Sequence, residues 1–407
     1  MNCRHCDTFL KNIFLDLGRT PPSNAFLTKK NLHKSEIHYP LKVFVCDQCW
    51  LVQTEDCIKA EELFTPQYAY FSSISESWLT HVKNYTVQII KEFSLSNKSY
   101  VIEIGSNDGY LLKNFLEANI PCLGIEPTNS TADAAEKIGV SVLREFFSND
   151  LGKKLVLEKK KADLIIGNNV YAHVPNINDF TMGLKTILKR NGIITLEFPH
   201  LMSLIAHTQF DTIYHEHFSY LSLYTACEIF QKANLRIFNV EKLETHGGSL
   251  RIYACHFNDI RKTQSSVTSL LLEEKLKGLQ KIETYKGFQF RVDKIKNDLI
   301  QFLIKQKKRR KKIVAYGAAA KGNTLLNYAG IKKELLPFVF DSAISKQGCF
   351  MPGSHIPILS SEYILEAKPD YVLILPWNIA DEIIIQNAIL KKNSTKFIIA
   401  VPELKIL

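Results

Sequence analysis

From about residue 99 the chain alternates short apolar runs with amphipathic segments. The apolar runs predict strands at 99–104, 121–125, 140–143, 162–167, 192–198 and 250–255. The amphipathic segments, whose apolar residues recur three and four positions apart, predict helices near 109–118, 130–137, 177–189 and 225–233. This alternation is typical of a mainly parallel sheet with helices on both faces. The predicted fold class is therefore α/β.

Other patterns flank this central region. A helical pattern precedes it and runs to about Phe93, and residues 258–312 carry long charged segments that predict connecting helices. These segments hold no sustained heptad, so a coiled coil is not expected. Apolar runs near 312–317, 336–340, 370–375 and 396–401 then predict a second Rossmann-like unit. We expect three domains, at residues 1–66, 67–257 and 258–407.

Composition narrows the class of protein. The 407 residues are 46% hydrophobic and 23% charged, as in an ordinary globular protein. Since no apolar run has the length of a membrane span and no signal-like segment opens the chain, we expect a soluble, cytoplasmic protein. The net charge of +10 owes much to the run at 305–312, which favours a solvated helix end over a nucleic-acid patch.

Four of the nine cysteines form two C-x2-C pairs, Cys3 with Cys6 and Cys46 with Cys49. Two such turns can present four thiolates tetrahedrally, which is the arrangement of closed structural zinc sites. The remaining cysteines have no paired spacing and are expected to be small core residues. The sequence therefore predicts structural zinc near the N-terminus and no disulfide framework.

Residues 101–112 combine a strand, a glycine turn and the start of a helix. Gly105 and Gly109 allow the backbone to pass close to a ligand, because they carry no Cβ. Glu126 ends the next predicted strand, where a carboxylate can accept hydrogen bonds from two ribose hydroxyls. A nicotinamide dinucleotide and S-adenosylmethionine (SAM) both contain such a ribose.

Two residues favour SAM over the dinucleotide. Asn107 replaces the middle glycine of the dinucleotide fingerprint, and Glu103 places an acid before the turn. An acid suits SAM, which carries an ammonium and a sulfonium but no pyrophosphate. Asn168 and Asn169 follow another strand and are expected to bind the polar ends of SAM, with His173 towards the substrate.

Side chains that can transfer protons are most concentrated in the seven residues 214–220, which contain two imidazoles, two phenols and a carboxylate. They follow the predicted strand at 192–198. Groups of this kind beyond the carboxyl end of a strand indicate an active site that moves protons to or from carbon.

Together these motifs resemble the SAM-dependent sugar C-methyltransferases of deoxysugar biosynthesis, such as the mycarose and tetronitrose 3-C-methyltransferases. The resemblance covers nearly the whole chain. Its matching segments are the two cysteine pairs, 18–26, 103–109, 168–175, 197–200, 214–220, 246–251 and 316–328. It implies a zinc-binding N-terminal domain, a central class I SAM-binding domain and a C-terminal Rossmann-like domain that helps to hold a nucleotide sugar. It further implies dTDP-4-keto-deoxysugars methylated at C3.

The resemblance also implies an active-site set. The family's catalytic positions correspond to Tyr68, His173, Tyr214, Glu216 and His217. We expect His217 to be the general base at C3, with His173 as the second candidate. Glu216 would orient the base or a neighbouring group, and Tyr214, His173 or Tyr68 would donate to the C4 oxyanion.

A turn rich in small residues at 316–324 is the candidate substrate site of the C-terminal region. Lys321, with the backbone N–H groups of the loop, could hold a diphosphate, and Asn323 and Thr324 are the neighbouring candidates. A tight structural turn with an exposed lysine fits the same residues.

Two other classes of protein remain as alternatives. A nucleic-acid methyltransferase would carry basic and aromatic residues around the cysteine pairs, whereas residues 1–60 have mixed charge. A non-catalytic scaffold would be expected to lack the cluster at 214–220. We therefore expect a nucleotide-sugar enzyme with no nucleic-acid or membrane partner; the oligomeric state stays open, and a monomer is compatible with the sequence.

Overall fold

The computed structural model describes residues 1–64 and 71–407, and the strands of these residues form three sheets. The strands are β1 Asn12–Thr20, β2 Tyr39–Val45, β3 Val52–Thr54, β4 Val101–Ile104, β5 Cys122–Ile125, β6 Val142–Leu143, β7 Ala162–Asn168, β8 Leu188–Pro199, β9 Ser219–Tyr220, β10 Leu235–Leu243, β11 Ser249–His256, β12 Ile313–Tyr316, β13 Val339–Asp341, β14 Ile358–Ser360, β15 Tyr371–Ile374, β16 Lys396–Ile399 and β17 Lys405–Ile406.

Helices connect most of these strands. They are α1 Ala60–Leu63, α2 Glu76–Glu92, α3 Leu112–Glu117, α4 Asn129–Lys137, α5 Asn149–Leu157, α6 Ile177–Ile187, α7 Leu201–Ala206, α8 Leu223–Lys232, α9 Ser265–Leu276, α10 Phe288–Lys308, α11 Ala320–Tyr328, α12 Ile364–Ala367, α13 Ala380–Gln386 and α14 Ala388–Lys392. Short 3-10 turns precede several of them and also carry His173, at Tyr171–His173.

The central sheet has the order β10-β11-β8-β7-β4-β5-β6. Strand β11 pairs antiparallel with both of its neighbours, and all other neighbouring strands are parallel. Side chains along each strand alternate between two apolar layers, one on each face of the sheet, because successive strand residues point to opposite faces. Ile102 and Ile104 pack on the layer that contains α5, α6 and α8, whereas Val101 packs on the layer of α2 and α3. The α/β prediction, with helices on both faces of a mainly parallel sheet, is confirmed.

A smaller antiparallel sheet, β1-β2-β3-β9, joins the N-terminal region to the centre of the chain. Its edge strand β9 belongs to the segment that follows the imidazole cluster, and Gln53 of β3 pairs with Ser219 of β9. The N-terminal cysteine region is therefore in direct contact with the predicted catalytic segment.

The third sheet, β14-β13-β12-β15-β16-β17, is parallel apart from β17. Helix α10 packs on it and on β1, through Leu299, Leu303 and Phe288. This matches the predicted second Rossmann-like unit after long connecting helices.

The sequence prediction missed β10 and α5. β10 is a sheet-edge strand, and its antiparallel partner β11 determines its register. α5 is only nine residues long and contains Gly152, which lowers its helix propensity. Gly152 lies against α6, where an added Cβ would be 3.2 Å from the Gly183 carbonyl oxygen. Close helix packing therefore stabilises a segment of modest helix propensity.

Within residues 1–64 and 71–407, no helix combines the length and the apolar character needed to cross a bilayer.

Candidate active site

The four paired cysteines meet in one cluster, with all Sγ atoms within 4.8 Å of one another. The Sγ atoms of Cys3 and Cys49 are 3.5 Å apart, and those of Cys6 and Cys46 are also 3.5 Å apart. A tetrahedral zinc ion with bonds of about 2.3 Å requires sulfur separations of about 3.8 Å. The donor set and its dimensions therefore fit a closed structural zinc site.

A cavity of about 470 Å³ opens at the carboxyl end of the central parallel strands. Ligands bind at this edge of α/β sheets because the loops that follow the strands converge there. Its walls come from all three sheet regions and include Asn24, Phe64, Trp78, Gly105, Asn107, Glu126, Phe146, Asn168, Asn169, His173, Tyr214, Glu216, His217, His246, Ala319, Ala320, Lys321 and Lys346.

The turn after β4 forms one end of the cavity. Gly105 has a φ of +69°, and an added Cβ would lie 3.1 Å from Val170 Cγ2. The backbone N–H of Asn107 donates to Glu126 Oε2 at 3.0 Å, and that of Thr128 donates to Glu126 Oε1 at 2.9 Å. Thr128 Oγ1 also donates to Glu126 Oε1. A carboxylate has about four acceptor positions, so three donors hold Glu126 in place and leave a position on Oε2 for a ribose hydroxyl.

Asn168 lies beside this turn with both of its side-chain polar atoms buried. Neither Oδ1 nor Nδ2 has a hydrogen-bond partner among the residues the structure describes. Buried amides without partners are rare, so this position fits a site whose partners come from a bound ligand. Asn169 has a protein partner, because its Nδ2 lies 3.0 Å from His246 Nε2.

Two residues predicted to bind the cofactor lie behind the turn and not at the cavity wall. Gly109, with a φ of +77°, faces Ala135, Ile138 and Val140, so its missing side chain serves packing against α4. Glu103 is fully buried, and burial raises the pKa of its carboxyl group well above the ordinary value. Neither of its carboxylate oxygens has a hydrogen-bond partner among the described residues. Neither residue lines the cavity, and their direct contact with the cofactor stays a prediction.

Two imidazoles line the cavity in an edge-to-face contact, with the ring centroids of His173 and His217 separated by 4.6 Å. His217 Nδ1 donates to the Thr212 carbonyl at 2.8 Å, and His173 Nδ1 donates to the Glu216 carbonyl at 2.8 Å. A carbonyl oxygen only accepts, so each Nδ1 carries the proton and each neutral ring has its lone pair on Nε2. Tyr214 stacks 4.0 Å from His217, measured between ring centroids.

Burial keeps both imidazoles neutral. It lowers the pKa of His173 to about 4, against an ordinary value of 6.5. It lowers the pKa of His217 well below 6.5 as well, and the neighbouring His173 lowers it further. Only a neutral imidazole accepts a proton, so both rings are in the base form at neutral pH.

These shifts predict an unusual pH profile. Turnover should persist as the pH falls through 6.5 and decline only at lower pH, towards the value of about 4 for His173, because protonation of a base removes activity. Initial rates between pH 4.5 and 8 at saturating substrate will check this. The unfolded chain takes up these protons near 6.5, so the folded state loses stability below that pH, and circular dichroism at each pH must separate unfolding from loss of the base. A half-maximal rate at pH 6.5 or above in folded enzyme would contradict the prediction.

The sequence predicted that Glu216 orients either His217 or a neighbouring group, and its carboxylate does not orient His217. Thr212 holds His217 Nδ1, and the Nε2 lone pair of that ring cannot accept from an ionised carboxylate. Instead, the Glu216 carbonyl orients His173, and both carboxylate oxygens accept from Asn24 Nδ2 at 2.8 Å.

The far end of the cavity is basic. Lys321 and Lys346 line it beside the N-terminus of α11, together with Ala319 and Ala320. Lys321 Nζ donates to Asn378 Oδ1 at 2.5 Å and lies 4.9 Å from the centroid of the Trp377 ring. Burial lowers the pKa of Lys321.

Asn323 and Thr324 are turned away from this end. Both are buried, Thr324 Oγ1 donates to the Ile213 carbonyl at 2.9 Å, and Asn323 Nδ2 donates to the Ser23 carbonyl at 2.5 Å. Their predicted contact with substrate is not supported, because α11 directs both side chains towards these buried carbonyls and neither residue lines the cavity. Tyr68 lies outside the described residues.

Some cavity residues were missed by sequence reasoning. Asn24, Trp78, His246 and Lys346 line the cavity but were not predicted as site residues. Asn24 and His246 lie in segments that carry the resemblance, 18–26 and 246–251, whereas Trp78 and Lys346 lie outside them. His246 had a usable sequence signal, since it precedes two glycines. In the structure its φ is 54°. Such a conformation is uncommon for a residue other than glycine and often marks functional sites.

Comparison with known proteins gives matches along the chain. The family model described as "Putative zinc binding domain" matches residues 3–64, "Methyltransferase domain" matches residues 78–240, and "C-methyltransferase C-terminal domain" matches residues 244–402. The C-methyltransferase NovU of Streptomyces niveus is 31% identical over 407 residues, which is 100% of this chain and 96% of that protein.

Solved structures resemble part of this chain. Magnesium protoporphyrin IX methyltransferase from Synechocystis PCC 6803 with bound SAM is 14% identical, with a TM-score of 0.34 over 44% of this chain and 79% of that one. A SAM dependent methyltransferase from Archaeoglobus fulgidus is 16% identical, with a TM-score of 0.36 over 43% of this chain and 93% of that one.

Proposed function

We propose that this chain, which belongs to the family of SAM-dependent C-methyltransferases, methylates C3 of a nucleotide-linked 4-keto-deoxysugar, with dTDP as the nucleotide. Its cofactors are SAM and structural zinc, and its central region is a class I methyltransferase domain. The observation that carries the proposal is the pair of neutral imidazoles in a cavity shared by the cofactor turn and a basic far end.

The imidazole pair suits methylation at carbon. Bound SAM supplies an electrophilic methyl group, so the acceptor carbon has to become a nucleophile. A C–H bond beside a ketone can lose its proton to a base because the negative charge delocalises onto the ketone oxygen. His217, with its lone pair on Nε2, takes the proton from C3 in this proposal, and His173 remains the second candidate.

The other residues stabilise charge or hold the bases. Tyr214 lies against His217 and is our first choice to donate to the C4 oxygen as it becomes an enolate oxygen. Tyr68 stays a candidate for the same role. Glu216 supports the site through its carbonyl on His173 and through its contact with Asn24.

The basic end suits a sugar diphosphate. Lys321, Lys346 and the N-terminus of α11 provide positive charge at the end of the cavity formed by the third sheet region. We accordingly propose that residues 258–407 form the nucleotide-sugar domain, residues 67–257 the methyltransferase domain and residues 1–66 the zinc domain. The partner is then a small molecule.

Incubation of the protein with SAM and a panel of nucleotide-linked 4-keto sugars tests the proposal. We expect a mass gain of one methyl group for at least one sugar. In D2O without SAM, the same sugar should exchange its C3 hydrogen for deuterium. Matched nucleotide sugars with a 4-hydroxyl group serve as controls, since they cannot form the enolate. Methylation at oxygen, or neither reaction across the panel, would rule the proposal out.

A further inference from the structure

Arg4 has an unexpected position for a residue between two metal-ligand cysteines, Cys3 and Cys6. Its side chain is only 4% exposed, although arginine is rarely buried unless its donors are satisfied. Nη1 donates to the Pro175 carbonyl at 3.3 Å, and Nη2 donates to the Thr54 carbonyl at 2.9 Å. Nη2 also pairs with Asp56 at 2.8 Å.

These contacts reach both segments that carry the paired imidazoles. Pro175 is two residues after His173. Thr54 Oγ1 donates to the His217 carbonyl at 3.2 Å, and the Arg4 guanidinium lies 5.4 Å from the ring centroid of Phe218, the residue after His217. One guanidinium therefore contacts the main chain or the neighbours of both bases.

The same cysteine turn makes a second contact with the His173 segment. Asn178 Nδ2 donates to the His5 carbonyl at 2.8 Å, and Asn178 Oδ1 accepts from His5 Nδ1 at 2.8 Å. Residues 4 and 5 thus bind the loop after His173, at Pro175, and the start of α6, at Asn178, through both backbone and side chains.

Gln53 connects the metal ligands to this arrangement. Its Oε1 accepts from the Arg4 backbone N–H at 2.9 Å, and its Nε2 lies 3.2 Å from Cys3 Sγ as a donor. Gln53 also pairs with Ser219 in the sheet, two residues after His217. A change in the geometry of the cysteine turn would therefore be transmitted to Arg4 and to β9 together.

We propose that the first cysteine turn is a positioning device for the two imidazoles, with Arg4 as the residue that transmits the geometry of the zinc site. This inference rests on the proposed proton-transfer role of His173 and His217. Arg4 does not line the cavity, so it acts through the loops and makes no contact with substrate. Zinc here contributes to catalysis through the shape of the site as well as to the stability of the N-terminal region.

The Arg4→Met variant tests this directly, because it keeps all four thiols and removes the guanidinium bridge. We expect zinc content of one ion per chain, unchanged SAM affinity by calorimetry, and a fall in kcat and in C3 deuterium exchange of about 10²-fold, the cost of displacing catalytic groups by about 1 Å. The KM for the sugar should change much less. Lys11→Met is the matched control, since it removes an exposed cation that pairs with Asp47 beside the second cysteine turn.

An imidazole spectrum supplies a readout that needs no substrate. In 15N NMR spectra, assigned with His173→Asn and His217→Asn variants, the wild type should show the Nδ1–H tautomer at both histidines. We expect mixed tautomers in Arg4→Met and after chelation of zinc. Arg4→Lys, which keeps charge but lacks the forked donors, should show a smaller change of the same kind and replaces Arg4→Met if that variant does not fold.

Unchanged imidazole spectra and a kcat within about twofold of wild type, in a folded variant that retains zinc, would overturn the inference. Failure of the wild type to methylate any sugar would instead refute the proposed function and leave the spectral comparison intact.

Discussion

Replacement of His217 by alanine should reduce turnover by about 10² to 10⁴-fold, the range that a general base contributes. The ring is buried, neutral and held by the Thr212 carbonyl with its lone pair on Nε2, so its loss removes the group best prepared to take the C3 proton. SAM affinity should be unchanged, because the turn at Gly105 and the Glu126 carboxylate do not depend on this ring. Single-turnover rates and C3 deuterium exchange measure the effect, and calorimetry measures the binding of SAM.

Two further variants make the result specific. His207→Ala removes an exposed imidazole from the same region and should leave turnover within about twofold of wild type. His173→Ala should lower the methylation rate but retain more exchange than His217→Ala. The opposite order of exchange would transfer the role of base to His173, and near-wild-type exchange in both would remove it from the pair.

Replacement of Lys321 by methionine should weaken binding of the sugar diphosphate by about tenfold to a hundredfold, as expected for a hydrogen bond to a charged group. Methionine keeps most of the length and loses the charge, so the contact with Trp377 can persist while the attraction for phosphate disappears. We expect a higher dissociation constant for dTDP alone and for the nucleotide sugar, with the affinity for SAM retained. Calorimetry with dTDP isolates this effect from the chemistry at C3.

The outcome distinguishes two positions for the lysine. Lys333→Met, which removes an exposed charge from the loop after α11, is the control and should bind dTDP as the wild type does. If Lys321→Met binds dTDP normally but loses C3 exchange, the lysine faces the C4 oxygen and the diphosphate assignment is wrong. Normal binding together with normal exchange would exclude any role in the substrate site.

The fold class was accessible from sequence because it depends on local periodicity. Apolar runs of strand length and amphipathic segments of helix length alternate along the chain, and the central and third sheets follow from them. The strand β9 was not accessible in this way. It has two residues, and its pairing with β3 brings together segments that are more than a hundred positions apart in the chain.

The site was predictable to the extent that its chemistry lies in compact motifs. The spacing of Cys3, Cys6, Cys46 and Cys49 predicted the four-cysteine metal site. The glycine turn at Gly105 and the acid at Glu126 predicted the part of the cavity that binds the cofactor. The substrate end was harder to predict, because α11, which contains Lys321, directs Asn323 and Thr324 into buried contacts. The sequence of the turn contains no signal for that direction.

By itself the sequence determined which groups are available: four thiols, a ribose-type acid, a pair of imidazoles and a lysine beside a helix start. Only the tertiary structure decided their states. The tautomers of His173 and His217 depend on carbonyls of Glu216 and Thr212, and their lowered pKa values depend on burial between separate parts of the chain. Residue types and spacings are local properties, whereas desolvation and hydrogen-bond partners come from contacts between distant segments.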